Sequence, residues 1–124
     1  MNNKSFGEYL RILRLSQNPP VTQEKLADAI GRQKMTISQF EQGKNAPPQG
    51  ELLEKIIDVL MLNDDEAYRL RLLAYQSRQK VPVDVETYFF ENPTIYEVIR
   101  IAQRKNKDDV YWQGLVKQLG ETDD

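Results

Sequence analysis

The sequence predicts an all-α fold, and three features indicate it. Apolar residues recur at intervals of three and four along most of the 124 residues, as on one face of a helix. Capping residues precede these segments, and glycine or proline follows many of them. Alternation of apolar and polar residues, which would indicate a strand, occurs only in part of residues 81–88.

The first two predicted helices have recognisable ends. Ser5 and Glu8 form a capping box, and the helix ends before the two prolines of residues 18–20. Thr22 is the N-cap of the second helix and Gly31 is its C-cap. The apolar faces consist of Phe6, Tyr9, Leu10 and Leu13 in the first helix and Leu26, Ala27 and Ile30 in the second.

Three further helices complete the N-terminal part. The third helix is predicted over about residues 34–42 and ends at Gly43. The fourth is predicted over about residues 50–62, and the fifth, which Asn63 caps, over about residues 64–79. Their apolar residues are Ile37 and Phe40; Leu52, Leu53, Ile56, Ile57 and Leu60; and Leu70, Leu72, Leu73 and Tyr75.

The C-terminal part is predicted to be a small helical domain. Residues 81–83 break the helical pattern, so we divide the chain into domains at 1–80 and 81–124. A short helix is expected over residues 84–90, a second one starts near Pro93, and a last one covers about residues 108–119. Residues 120–124 are expected to be a frayed acidic tail.

The composition excludes several classes of site. The absence of cysteine and histidine excludes disulfides, thiolate metal sites and a Ser-His-Asp triad. The acidic pairs lie at predicted helix starts or in the tail, so we expect no metal, no cofactor and no enzyme activity. No apolar run could span a membrane, and residues 1–10 lack a signal-peptide core. These observations predict a cytoplasmic protein that does not contact membranes.

The charge distribution differs between the two ends of the chain. Residues 1–50 contain seven Lys/Arg and four Asp/Glu, whereas residues 63–124 contain nine Lys/Arg and twelve Asp/Glu. The basic N-terminal part suits a polyanionic partner, and the acidic part does not.

Residues 22–43 carry the most informative pattern, two short helices with a glycine at the start of the turn between them. Ala27 is small where the two helices should cross, and Gly31 allows a left-handed backbone. Ile37 and Phe40 lie on one side of the second of these helices, opposite an amide-rich face. Such a face suits the major groove, where Gln pairs with adenine and Lys with guanine.

This pattern resembles the helix-turn-helix of the lambda-Cro/CI type, the XRE family of bacterial and phage regulators. The resemblance covers about residues 6–62 and implies a five-helix domain that binds double-stranded DNA with its third helix in the major groove. It is carried by the order and spacing of Leu10, Arg14, Thr22, Gln23, Leu26, Ala27, Gly31, Thr36, Ile37, Ser38, Phe40, Glu41, Gly43 and Lys44.

The resemblance also implies roles for individual residues. The expected base-reading residues are Gln33, Lys34, Met35, Ser38 and Gln39. The expected phosphate contacts are Gln23, Arg32, Thr36, Gln42, Lys44 and Asn45. Arg14 and Glu41 match positions that form a structural ion pair between the first and third helices. Arg32 departs from the pattern because the family usually has Val or Ile there, and the linker at residues 18–21 is about two residues longer than usual.

The acidic C-terminal part is expected to form a homodimer, because its aromatic content suits an interface core. The expected interface residues are Tyr96, Ile99, Tyr111, Trp112 and Leu115. Dimerisation would place two recognition helices about 34 Å apart, on two half-sites of an operator. Two alternatives stay open: the aromatics only build a small core against the fifth helix, or this part binds an inducer, a peptide or another protein.

Two function classes follow. The first is a homodimeric, sequence-specific transcriptional regulator, a repressor of a phage, mobile-element or small bacterial operon that reads an inverted repeat. The alternative is a protein-binding module, antitoxin-like or an adaptor, that holds a partner protein through its C-terminal part. An enzyme with a helix-turn-helix appendage is disfavoured by the missing His and Cys and by the short C-terminal part.

Overall fold

The computed structural model describes residues 5–122, and all regular elements in that range are α-helices, which confirms the predicted fold class. The helices divide into two compact units, with the division between Pro82 and Val83. We call residues 5–82 the N-terminal unit and residues 83–122 the C-terminal unit. No helix in the described range is long and apolar enough to cross a membrane.

Eight helices make up the described chain. The N-terminal unit contains α1 (Phe6–Leu15), α2 (Gln23–Ile30), α3 (Lys34–Gln42), α4 (Glu51–Val59) and α5 (Asp64–Arg78). The C-terminal unit contains α6 (Val83–Glu91), α7 (Thr94–Arg104) and α8 (Asp109–Thr122).

The predicted N-caps are confirmed. The Ser5 hydroxyl accepts from the Glu8 backbone N–H at 3.2 Å, and Glu8 Oε1 accepts from the Ser5 N–H at 3.0 Å. Thr22 Oγ1 accepts from the Lys25 N–H at 3.0 Å, and Asn63 forms a second capping box at the start of α5. Each cap satisfies backbone donors that would otherwise lack a partner, and is worth about 1 kcal/mol.

Two glycines end the helices of the candidate helix-turn-helix, as predicted. Gly31 and Gly43 have φ angles of 72° and 74°, in the left-handed region. The backbone N–H after each glycine bonds back into the helix, from Arg32 to the Ala27 carbonyl and from Lys44 to the Gln39 carbonyl, both at 2.9 Å. These bonds stop α2 and α3 at defined residues.

The N-terminal unit has one apolar core to which all five helices contribute. α3 packs against α1 and α2, α2 also packs against α4, and α5 packs against α1. The largest fully buried side chains are Leu10, Leu26, Ile30, Ile37, Ile56, Leu60 and Leu70. Burial of one such side chain stabilises the fold by about 1.5–3 kcal/mol, so the orientation of α3 is set by its buried face.

The C-terminal unit buries far less. Of residues 83–120, only Ala102 is buried. Several large apolar side chains are exposed, among them Val83, Phe90, Tyr96, Val110, Val116 and Leu119. Most of the apolar surface of these three helices is therefore accessible.

Two predicted helix ends were wrong. α4 ends at Val59 and not near residue 62, because Met61 adopts a left-handed φ of 51° and the Leu62 N–H bonds back to the Ile57 carbonyl at 3.2 Å. α8 continues through Gly120 to Thr122, so residues 120–122 are helical and not a frayed tail. By contrast, the short helix predicted over residues 84–90 is confirmed as α6, which includes residues 83–88 of the segment that alternates in sequence. Asp123 and Asp124 lie outside the described residues.

Candidate nucleic-acid interface

The first turn of α3 is open to solvent. Gln33 is the N-cap in an extended conformation, and its side chain makes no capping hydrogen bond. Gln33, Lys34 and Met35 are all exposed, and Met35 is 66% exposed although it is apolar. Three consecutive predicted base-reading residues are thus accessible at one end of a short helix.

The rest of α3 has one buried and one accessible side. Ile37 and Phe40 are buried in the core, whereas Ser38 and Gln39 are half-buried. The predicted base-reading residues therefore do not share the side that anchors the helix. A helix held in this way can present side chains to a groove without loss of its own packing.

Two predicted base-reading residues are hydrogen-bonded to two predicted phosphate contacts. Gln42 Nε2 donates to Ser38 Oγ at 2.9 Å, and Asn45 Nδ2 donates to Gln39 Oε1 at 2.7 Å. The sequence assigns these residues to separate roles, but the structure joins them in pairs.

Arg14 and Glu41, for which the resemblance implies an ion pair, form a buried bidentate salt bridge. Arg14 Nε donates to Glu41 Oε2 at 2.8 Å, and Nη2 donates to Oε1 at 2.9 Å. The side chains are only 7% and 3% exposed. This geometry links α1 to α3, and it is the arrangement in which an arginine–carboxylate pair is strongest.

Two more residues extend this ion pair into a network. Arg14 Nη1 donates to the Val21 carbonyl at 2.9 Å, and Gln23 Nε2 donates to Glu41 Oε1 at 3.0 Å. Gln23, a predicted phosphate contact, thus gives one amide hydrogen to the network and retains a second for another acceptor. The linker before α2 and the first residue of α2 are both tied to α3.

The other predicted phosphate contacts lie near both ends of α3. Arg32 and Lys44 are exposed, and Thr36 is half-buried in the first turn. Arg32 Nη1 bonds the neighbouring Gly31 carbonyl at 3.1 Å. Within residues 5–122, Arg32, Lys34 and Lys44 form no ion pair. Their positive charges are therefore free to neutralise phosphates.

Two features of this region were missed by the sequence interpretation. A Cβ atom on Gly7 would overlap the backbone carbonyls of Phe40 and Glu41, so α1 approaches α3 as closely as only glycine permits. Arg78 Nε donates to the Pro47 carbonyl at 2.6 Å and holds the buried prolines of the loop after α3. A glycine inside a helical pattern is a signal that could have indicated the close approach at Gly7. The hydrogen bond from Arg78 to Pro47 joins residues distant in sequence, so no local pattern indicates it.

The predicted dimer residues lie on the last two helices. Tyr96 and Ile99 on α7 and Tyr111 on α8 are exposed, whereas Trp112 and Leu115 are half-buried. The Tyr111 and Trp112 rings meet edge to face at 5.1 Å between centroids. Within the described chain, no three acidic side chains form a group that could hold a metal ion.

Comparison with known protein families gives a match over the N-terminal part of the chain. The profile of a family described as a helix-turn-helix domain matches residues 5–70, which include α1 to α4 and the first half of α5. Neither the curated proteins nor the solved structures contain a significant match. The matched range covers more than half of the chain and includes the whole candidate interface. The chain therefore belongs to the helix-turn-helix family of DNA-binding domains.

Proposed function

We propose that this protein is a sequence-specific transcriptional regulator that reads DNA with α3 in the major groove. One observation carries the proposal: α3 is fixed by its buried face, while its first turn exposes Gln33, Lys34 and Met35. These side chains offer an amide, an ammonium and an apolar group, which are the contacts that distinguish base pairs in the major groove.

The subclass that fits best is the Cro/CI type. The buried Arg14–Glu41 pair supports it, because the sequence resemblance implies an ion pair between these two positions. Gly31 in the left-handed conformation after α2 supports it as well.

Phosphate contacts would set the register of α3 on the duplex. The proposed phosphate contacts are Gln23, Arg32, Thr36, Gln42, Lys44 and Asn45. Only two of these residues, Arg32 and Lys44, carry a positive charge. Each neutralised phosphate contributes to affinity, so one copy of the domain should bind DNA with only moderate affinity. The proposal therefore requires two copies on one operator.

The C-terminal unit is the proposed dimerisation module of a repressor that acts by occupying its operator. Its support is the exposed apolar surface of helices α6 to α8, with only Ala102 buried among residues 83–120. A unit of about 40 residues rarely forms a sufficient core alone and commonly gains one by association. Tyr96, Ile99, Tyr111, Trp112 and Leu115 are the proposed interface residues.

In-vitro selection from a random DNA pool, with the full chain at near-physiological salt, tests the proposal. We expect an enriched inverted repeat with half-site centres about 10 base pairs apart. Weak, salt-sensitive binding without any enriched sequence would reject a sequence-specific regulator, because phosphate contacts alone give that behaviour.

A second candidate is a protein-binding module that holds a partner through the C-terminal unit. The same exposed apolar surface and the acidic balance of residues 63–124 favour it. Co-purification of a stoichiometric partner with the tagged full chain, together with no enriched DNA sequence, would favour this candidate over the first.

A further inference from the structure

Asn45 is attached to Gln39 through both its side chain and its backbone. Its Nδ2 donates to Gln39 Oε1 at 2.7 Å, and its backbone N–H points to the Gln39 carbonyl at 3.4 Å. The left-handed Gly43 and the 2.9 Å bond from the Lys44 N–H to the same carbonyl bring this segment back over the end of α3. Backbone geometry therefore holds Asn45 beside the Gln39 side chain.

We propose that Asn45 is a positioning residue that sharpens base specificity by restraining the Gln39 amide through this hydrogen bond. The inference rests on the proposed function, in which Gln39 reads a base. For Asn45 alone, it replaces the phosphate contact that the resemblance implies and that the proposed function includes.

The reason lies in the shape of the glutamine amide. Its oxygen and nitrogen ends are similar in size, but one accepts and the other donates. A two-point contact with adenine needs the donor at N7 and the acceptor at the N6 amino group, so an amide rotated by half a turn presents the wrong order. Asn45 donates an N–H to this amide, so Oε1 faces Asn45 and the Nε2 donor end is directed away from it. Loss of this hydrogen bond would leave the amide free to rotate.

The donor end of Gln39 stays available in this arrangement. Within residues 5–122, the Gln39 amide nitrogen makes no hydrogen bond, and the side chain is half-buried. The hydrogen bond thus orders the amide before DNA arrives, and a pre-ordered side chain loses less entropy on binding.

The test measures base preference and not affinity alone. Binding of the full chain is measured on the selected operator and on operators carrying each other base pair at every position. Gln39→Ala identifies the base pair that Gln39 reads, as the position where discrimination is lost. Asn45→Ala should reduce discrimination about two- to tenfold at that position only, the range expected for loss of one neutral hydrogen bond.

Asn45→Asp gives the sharper outcome. An ionised carboxylate only accepts hydrogen bonds, so it would hold Gln39 by Nε2 and reverse the two ends of the amide. The preferred base pair at the Gln39 position should then change, and not merely weaken. The added negative charge lowers affinity for all operators alike, so it cancels when operators are compared.

Lys44→Ala is the matched control, because Lys44 is the neighbouring exposed residue in the same segment. It should weaken binding to all operators by a similar factor and leave base preference unchanged. Thermal melting checks that each variant is folded, which the exposure of Asn45 leads us to expect.

The outcomes separate the two proposals. If the wild-type chain discriminates but both Asn45 variants keep its base preference and lose affinity uniformly, Asn45 is a phosphate contact and the inference is overturned. If the wild-type chain has no base preference, the proposed function fails and the inference fails with it.

Discussion

Lys34 and Gln39 carry most of the proposed base recognition, and they lie in different surroundings. Lys34 is exposed at the first residue of α3, whereas Gln39 is half-buried and bonded to Asn45. Each substitution to alanine should weaken operator binding by about 1–3 kcal/mol, because one base contact is lost. Fluorescence anisotropy with the selected operator measures this loss, and circular dichroism checks the fold.

Lys55→Ala is the control for charge. Lys55 is an exposed lysine on α4, so its removal lowers the net charge equally without touching α3. Unchanged affinity in both Lys34→Ala and Gln39→Ala would show that α3 is not the recognition helix.

Arg14–Glu41 and Arg71–Glu54, both within residues 5–122, have similar geometry and opposite burial. Arg14–Glu41 is almost inaccessible, whereas Arg71–Glu54 has side chains 47% and 49% exposed. Glu41→Ala should lower the free energy of unfolding by about 3–5 kcal/mol, because it leaves a buried guanidinium without its carboxylate. Glu54→Ala should cost less than about 1 kcal/mol, because water screens an exposed pair. Urea unfolding of both variants measures the difference.

The hydrogen bond from Arg71 lowers the pKa of Glu54 below its ordinary value. A lowered pKa stabilises the fold above the ordinary carboxyl pKa, and this contribution is lost as the pH falls. Equal losses of stability at neutral pH in Glu41→Ala and Glu54→Ala would contradict the structural role assigned to the buried pair.

At the level of helices, the contact between α1 and α3 depends on Gly7. A Cβ there would meet the carbonyls of Phe40 and Glu41, which belong to the backbone of α3 and cannot rotate away. Gly7→Ala should therefore destabilise the N-terminal unit by about 1–3 kcal/mol, as other overpacked sites do. It should also weaken operator binding, since α1 helps to orient α3. Urea unfolding and anisotropy measure the two effects.

Gly114→Ala is the matched control within α8. A Cβ at Gly114 would meet nothing within 4 Å, so the variant should gain up to about 1 kcal/mol of helix propensity. A Gly7→Ala protein as stable as the wild type would mean that the two helices are not in close contact.

The helix ends show what a sequence can predict at this scale. Ser5, Thr22 and Asn63 act on backbone groups three residues away, so their local pattern is sufficient. The predicted end of α4 was wrong because Met61, and not a glycine, takes the left-handed conformation. Gly120 suggested an end to α8 but continues the helix.

In the candidate site, too, some features can be predicted from residue patterns and others depend on the path of the chain. The amide-rich face of α3 is visible from helical spacing, and the Arg14–Glu41 pair followed from the family resemblance. The bond between Gln39 and Asn45 depends on the path of the chain after Gly43, which a residue pattern does not specify. The Arg78 contact with the Pro47 carbonyl spans 31 residues and depends on tertiary packing.

For the whole molecule, the contrast between the two units is the main physical fact. The N-terminal unit has a continuous buried core, whereas the C-terminal unit buries one residue of 83–120 and exposes aromatic and branched side chains. If a second copy covers this surface, Ile99→Asp should dissociate the dimer, because a carboxylate at a dry interface has no partner. Sedimentation velocity of the full chain measures the oligomeric state.

Ile12→Asp is the control, because Ile12 on α1 is 42% exposed and Ile99 is 37% exposed. The two variants carry the same chemical change at similar exposure, but only Ile99→Asp should become monomeric. Ile99→Asp should also bind the inverted repeat about 10²–10⁴-fold more weakly, because two separate monomers no longer bind both half-sites as one linked molecule. Its affinity for a single half-site should stay unchanged. A monomeric wild-type chain would exclude self-association, and a dimer that survives Ile99→Asp with its helix content intact would place the dimer interface elsewhere. Either result would leave the exposed surface of the C-terminal unit to a partner protein.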